Sequence, residues 1–353
     1  MNGEFISAIQ ELGKEKGIDP ELLFQAVEEA LVSAYKKNFG PNQNVKVEMD
    51  KNSGEFHVLA IRTVVDKEEL EENEISLADA KEIDPRYELE DIVEIEVTPK
   101  NFGRIAAQNA KQIVMQRIRE AERGMVYERF QSREQDIVTG IIQHSDHGNV
   151  HINLGKVEAV LTVNEQIPGE IYQYNDRMKT YIVEVKRTNK GPQIMVSRTH
   201  PGLLKRLFEL EVPEIHDGVV EIKSVAREPG MRSKISVYTQ DENIDPVGAC
   251  VGHKGMRVQT IVNELRGEKI DIVKYSEDPA QYVANALSPA KVVSTEVNLD
   301  EKICRVVVPD YQLSLAIGKE GQNARLAAKL TGWKIDIKSE SQAAEEAYAE
   351  GEE

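Results

Sequence analysis

The feature of this 353-residue chain that most constrains its fold is a segment that occurs twice in its C-terminal part. Residues 265–272 and 330–337 are identical at six of eight positions. Each octet follows a Gly-x-x-Gly motif, at residues 252–255 and 318–321, so that the motifs are 66 positions apart and the octets 65. Two copies of one supersecondary unit, with a single residue deleted between them, explain this spacing. The chain is therefore expected to contain two copies of one small domain in tandem.

Each copy has the same predicted order: two strands, an apolar helix, the Gly-x-x-Gly loop, a second helix and a Lys-Ile-Asp-Ile strand. Apolar residues at helical spacing flank each motif, namely Val247, Val251, Val258, Ile261 and Val262 in the first copy and Leu313, Leu315, Ile317, Leu326 and Leu330 in the second. Glycine lets the backbone approach a phosphate closely, and the following helix N-terminus offers free N–H groups. The pattern predicts a loop that holds a nucleic-acid backbone; a helix-turn-helix whose glycines serve only the bend stays open.

This arrangement resembles the bacterial-type KH domain, in which the loop clamps the backbone of about four nucleotides. The resemblance implies RNA contacts at Gly252, His253, Lys254, Gly255 and Arg257 in the first copy and at Gly318, Lys319, Glu320, Gly321 and Arg325 in the second. Glu320 departs from a basic loop, so we expect the second copy to bind RNA more weakly.

Residues 134–200 differ in pattern from the repeat that follows them. Five short predicted strands punctuated by turns in under 70 residues indicate a small closed barrel of the OB type. The segment resembles an S1 RNA-binding barrel, which implies that His151, Lys186 and Arg198 line an RNA-facing surface. Solvated polar positions on a barrel remain the alternative for each of them.

Residues 1–130 predict an α/β unit. Asp19 and Pro20 are a strong helix start, because Asp caps the helix and Pro fits its first turn. Alternating strands follow, joined by a hairpin turn at residues 52–54, and a long helix is predicted over residues 105–131. The whole chain is thus expected to be a multidomain α+β protein: this unit, the barrel, KH domains at 201–276 and 277–340, and an acidic tail at 341–353 that is disordered or a frayed helix.

The net charge of −17 is distributed unevenly along the chain. Residues 1–133 carry −9, residues 134–338 carry −2, and residues 339–353 carry −6. The nearly neutral middle is compatible with RNA, whereas the acidic N-terminal unit suits a protein partner better. The start lacks the apolar run of a signal peptide, no apolar run is long enough for a membrane span, and the two cysteines, Cys250 and Cys304, predict reduced thiols. We expect a cytoplasmic monomer without membrane contacts.

The order of α/β unit, S1 barrel and two KH domains resembles the NusA family of transcription termination and antitermination factors over the whole chain. Residues 165–170, 191–199 and 317–326 carry the most specific match, and residues 101–108 contribute. The resemblance implies that the N-terminal unit docks on core RNA polymerase, that the barrel and KH domains guide nascent single-stranded RNA, and that other Nus factors join the complex. Pausing, termination and antitermination would be modulated. Arg104 and Lys111, on one helix face, are candidate polymerase contacts; a solvated helix surface is the alternative.

No motif for nucleotide hydrolysis, a serine nucleophile or a dinucleotide was found, so we expect no enzyme activity and no cofactor. His144, His147 and His151 fall across a turn and a strand without a carboxylate at helical ligand spacing, which predicts no metal site. Two alternatives stay open: an S1/KH RNA-degrading enzyme and a translation-associated RNA binder. The enzyme would need a large catalytic domain before the KH unit, which 130 residues cannot supply.

Overall fold

The computed structural model describes residues 3–51, 53–67, 69–100 and 102–350, without the side chains of residues 3–5 and 347–350. Three sequence predictions therefore lie partly outside the described residues. They concern Asn52 of the hairpin turn, Asn101 before the long helix, and residues 351–353 of the tail. By contact density the chain divides into two compact units, Met1–Val126 and Tyr127–Glu353.

The first unit packs helices on a four-stranded sheet. Its helices are α1 (Gly3–Lys16), α2 (Pro20–Phe39), α3 (Leu77–Ile83) and the long α4 (Phe102–Gln131), of which residues 127–131 belong to the second unit. Its strands are β1 (Val45–Met49), β2 (Phe56–Val65), β3 (Glu74–Ser76) and β4 (Ile92–Glu96). Strand β2 pairs with the other three, antiparallel to β1 and β4 and parallel to β3. The Asp19 carboxylate caps α2 by accepting the Glu21 N–H, as the sequence predicted. Sequence reasoning did not find β3 and α3.

The second unit begins with a closed five-stranded barrel. Its strands are β5 (Ile137–Asp146), β6 (Asn149–Asn153), β7 (Glu158–Leu161), β8 (Arg177–Thr188) and β9 (Gly191–Ser197), and they close in the order β5-β6-β7-β9-β8. Strand β6 alternates between buried and outward-facing side chains, with Val150 and Ile152 in the interior. This alternation is what a small barrel requires, because alternate side chains fill its interior.

Two further domains follow with the same strand arrangement, at the positions where the sequence predicts the two KH domains. The first consists of α5 (Pro201–Glu211), α6 (Pro213–His216), β10 (Val220–Glu228), β11 (Arg232–Thr239), α7 (Pro246–Val251), α8 (Met256–Glu264) and β12 (Lys269–Lys274). The second consists of α9 (Pro279–Ala286), β13 (Ser294–Asn298), β14 (Ile303–Val308), α10 (Leu313–Ile317), α11 (Gln322–Thr331) and β15 (Lys334–Ser339). In each sheet the first strand pair is antiparallel and the second parallel. The predicted fold class is confirmed. The tail continues as α12 (Glu340–Glu350), which agrees with the helical alternative for this segment.

The barrel and the two KH domains share buried cores. Ile137 and Tyr181 of the barrel pack in one cluster with the first KH domain. Ala226 and Val273 of that domain pack in the core of the second. In addition, the Tyr282 hydroxyl lies 2.9 Å from Ser236 Oγ across the boundary between the KH domains. Shared cores explain why residues 127–353 form one compact unit.

A buried ion pair lies within the first KH domain. Arg227 Nε and Nη2 donate to the two carboxylate oxygens of Glu268 at 2.8 and 2.9 Å, and both side chains are fully buried. Glu268 also accepts the Ser233 hydroxyl at 2.6 Å and the Gly230 N–H at 2.8 Å. Burial on its own would raise the pKa of Glu268, but the Arg227 guanidinium and these donors outweigh it and hold the pKa below its usual value.

Both cysteines lie in the cores of the KH domains. Cys250 and Cys304 are buried free thiols, and burial raises the pKa of Cys250 to about 12, which makes its thiolate scarce. Among the described residues, no helix combines the length and the apolar character that crossing a bilayer demands.

Candidate RNA interface

The two Gly-x-x-Gly loops have nearly the same backbone conformation. Loop 1 (residues 252–255) connects α7 to α8, and loop 2 (residues 318–321) connects α10 to α11. The first glycines have φ of 74° and 79°, and the last glycines have φ of 76° and 74°. The third residue of each loop is also left-handed, at φ 51° and 53°. The repeated sequence therefore gives two loops whose backbone φ angles match residue by residue.

The two glycines of each loop are needed for different reasons. A Cβ on Gly252 would lie 2.7 Å from Arg257 Cγ, and a Cβ on Gly318 would lie 2.7 Å from the Asn323 backbone nitrogen. The first glycine thus permits close packing against the following helix. A Cβ on Gly255 would meet nothing within 4 Å, and one on Gly321 would meet only the end of the Arg325 side chain, at 4.0 Å. The second glycine therefore leaves open space at the loop surface, where a phosphate can approach the main chain.

The side chains between the glycines point into solvent. His253, Lys254, Lys319 and Glu320 are all exposed. Loop 1 directly precedes the N-terminus of α8 and loop 2 that of α11, where unpaired N–H groups and the helix dipole favour an anion. Loop 1 carries a histidine and a lysine between its glycines, whereas loop 2 carries a lysine and a glutamate. The electrostatic field therefore favours phosphate more at loop 1 than at loop 2.

The second residue after each loop has a structural role. Arg257 Nη1 donates to the Ala249 carbonyl at 2.6 Å and to Glu214 at 2.9 Å. At the corresponding position of the second domain, Asn323 Nδ2 donates to the Ala316 carbonyl at 2.9 Å. Both side chains satisfy a carbonyl near the end of the preceding helix. The predicted phosphate contact of Arg257 would have to compete with these bonds.

Arg325 connects the two KH domains. Its Nε donates to Glu228 Oε1 of the first domain at 2.6 Å, and its Nη1 donates to the Glu320 carbonyl of loop 2 at 3.1 Å. Gln322 donates to the other oxygen of Glu228 at 2.8 Å. The side chain of Arg325 is about half exposed, so an RNA contact remains a prediction for it.

The barrel separates the three residues predicted to face RNA. Lys186 is exposed on β8 and lies 2.9 Å from Glu184. His151 faces outward on β6, where its Nδ1 lies 2.5 Å from Glu158 Oε1 and its ring stacks on His144. Sequence reasoning missed the grouping of His144, His151 and Glu158, because the three residues lie on three strands and one sequence does not reveal how those strands pair.

The RNA-facing prediction for Arg198 is wrong. Its side chain is 1% exposed, and its guanidinium lies 2.5 Å from Glu170 and 3.5 Å from Glu264. It also donates to the carbonyls of Lys179 and Glu264. Glu264 belongs to α8 of the first KH domain, so this buried charge ties the barrel to that domain and is not available to a ligand.

The two candidate polymerase contacts lie on the outer face of α4. Arg104 and Lys111 are both exposed, whereas Phe102, Ala106 and Ala110 on the opposite face are buried in the core of the first unit. Their geometry agrees with a shared solvent-facing helix surface, and the docking role remains a prediction.

Comparisons with known proteins give a consistent result along the chain. Family models described as the NusA N-terminal domain, the NusA-like first KH domain and the NusA-like second KH domain match residues 4–124, 198–275 and 279–345. The "Transcription termination/antitermination protein NusA" of Halalkalibacterium halodurans is 64% identical over 100% of this chain and 92% of its own length. The protein of that name from Bacillus subtilis is 62% identical over 98% of this chain and 93% of its own length, and the one from Thermus thermophilus is 44% identical over 95% and 89%.

Proposed function

Because the chain belongs to the NusA family of transcription termination and antitermination proteins, we propose that it is an RNA-binding elongation factor. In this role it binds core RNA polymerase and the nascent transcript and modulates pausing, termination and antitermination, together with other Nus factors. It acts by binding and not by catalysis.

The observation that carries this proposal is the pair of exposed loops with matching backbones. Each loop combines left-handed glycines, open space beside its second glycine and a helix N-terminus. These are the features that admit a phosphate backbone without reading a base sequence. We assign the guidance of single-stranded RNA to residues 134–340, with loops 1 and 2 as the principal contacts.

The first unit is proposed as the polymerase-binding part. Its charge excess of −9 up to residue 133 disfavours RNA and suits a protein surface with basic groups. The exposed face of α4 that carries Arg104 and Lys111 is the proposed point of contact.

The test uses the full chain, core RNA polymerase and a single-stranded RNA. A quadruple variant (H253D, K254D, K319D and E320D) should lose most RNA affinity and still co-sediment with polymerase. The matched variant R104D/K111D should show the reverse. Unchanged RNA affinity in the quadruple variant would remove the loops from the function, and failure of the unaltered chain to co-sediment with polymerase would remove the docking role. Shortening of the RNA during incubation with phosphate would revive the RNA-degrading alternative.

A further inference from the structure

Three potential metal ligands meet on the outside of the barrel. His144 on β5, His151 on β6 and Glu158 on β7 each offer one ligand atom, and these atoms all lie within 4.8 Å of one another. The imidazole rings of the two histidines are stacked, with centroids 4.3 Å apart and planes 5° from parallel. The His151 side chain is 19% exposed and that of Glu158 38%, so the group is partly sheltered but reachable.

A β-bulge places His144 on this surface. Ile142 of β5 pairs with Ile152 of β6, and both side chains are buried in the barrel. The register then shifts by one residue, so that His144 pairs with His151. Without the inserted residue, strict alternation would turn His144 into the interior behind Ile142. Bulges redirect side chains in this way and are frequent beside functional sites.

Strand pairing also brings the carboxylate to the same surface. Val160 of β7 is the direct partner of His151, and Glu158 is the partner of Asn153. Glu158 is therefore the diagonal neighbour of His151 on the same face, a distance that long side chains span. The hydrogen bond of 2.5 Å between His151 Nδ1 and Glu158 Oε1 demonstrates that they reach each other.

We propose that His144, His151 and Glu158 form a binding site for a divalent transition-metal ion of the zinc type, with water in the remaining coordination position. Two imidazoles and one carboxylate around an open position are a ligand set that Zn²⁺ accepts in proteins. Imidazole favours Zn²⁺, Ni²⁺ or Cu²⁺ over Mg²⁺ and Ca²⁺, which prefer oxygen ligands.

Binding requires rearrangement of side chains only. The nitrogen lone pairs of two stacked rings lie in parallel planes, so the rings must turn toward each other for both to reach one ion. The ion would replace the hydrogen bond between His151 Nδ1 and Glu158 Oε1. Because His144 is exposed and the pairing of the three strands already sets the separations, the backbone can stay as it is.

The test is a titration of the tag-free full chain with Zn²⁺ after removal of metals by a chelator, followed by calorimetry and by competition with a chromophoric chelator. We expect one equivalent to bind and Mg²⁺ not to compete. H144A and H151A should each weaken binding at least about tenfold, since even the loss of a residue that only supports a ligand costs about 10–100-fold. H147A is the matched control, because His147 is an exposed histidine of the same hairpin that pairs with Asp146 outside the proposed set.

The outcomes separate the site from adventitious binding. Loss in H144A, H151A and the nearly isosteric E158Q, with retention in H147A, would support the proposal. An equal loss in H147A, or Zn²⁺ affinity that survives the H144A/H151A double variant, would overturn it. Circular dichroism of each variant excludes unfolding as the cause, and E158Q keeps the test valid if a histidine variant fails to fold.

Discussion

Lys254 and Glu320 occupy the third positions of the two Gly-x-x-Gly loops with nearly identical backbone angles, φ 51° and ψ 28° for the first and φ 53° and ψ 27° for the second. The two side chains have opposite charge, and both are exposed to solvent. The left-handed conformation is therefore set by the loop and its glycines and not by the charge of the residue. This separation allows the electrostatic contribution of the position to be measured without a change of fold.

Replacing Glu320 by lysine should strengthen RNA binding. E320K puts a cation where loop 1 already has one, and one added phosphate contact should steepen the dependence of log affinity on log salt by about 0.7. Affinity for a single-stranded RNA at several salt concentrations gives the measurement. E301K, a charge change of the same size in the exposed β13–β14 turn, is the control and should alter affinity less. Equal effects would mean that only the total charge matters.

Asparagine at the second glycine of each loop should weaken RNA binding without unfolding the domain. G255N and G321N retain a residue that tolerates the left-handed region but fill the space beside the loop. G332N is a close control, because Gly332 has φ 77° and ψ 13° against 74° and 14° for Gly321, has nothing within 4 Å, and ends the helix that loop 2 begins. If G332N reduced RNA affinity as much as G321N did, backbone strain would explain the loss.

Arg198→Met should destabilise the second unit by about 3 kcal/mol, because Glu170 loses its buried and closer cation and keeps only the half-exposed Arg266, whose Nε lies 3.4 Å away. Chemical denaturation measures the change in the free energy of unfolding. K186M removes the exposed partner of Glu184 and should cost about 0–1 kcal/mol. A small effect of R198M would show that the barrel and the first KH domain are held together mainly by their apolar contacts.

The stability of the second unit should fall at acid pH through Glu268. Its pKa in the folded protein is below the ordinary value of 4.5, so its contribution is fully present above that value and is lost as the pH falls through the folded pKa. E268Q should be less stable than the unaltered chain at pH 7, and the difference should shrink in acid. Urea denaturation at both pH values measures it; a difference independent of pH would contradict this origin.

The sequence predicted the architecture well because its signals are local. Glycine pairs, the Asp19–Pro20 helix start and strand alternation depend on residues close together in the chain. The errors concern partners far away in sequence: Arg198 looked like a surface cation but meets Glu264, 66 positions later. The grouping of His144 with Glu158 was missed for the same reason, because it depends on the bulge in β5, which has no signature in one sequence. Residues 74–83 were missed because a strand of three residues and a helix of seven residues are too short to show a clear hydrophobic period.

The shared cores of residues 127–353 have a consequence for how strongly a transcript is retained. Both loops belong to one compact unit. When an RNA strand is bound at one loop, its binding to the other loop is therefore intramolecular and depends on an effective concentration, not on diffusion from solution. Two short-lived contacts then give a long residence time for any RNA that spans both loops. An oligonucleotide too short to span both loops should dissociate at the rate expected for binding to one loop alone.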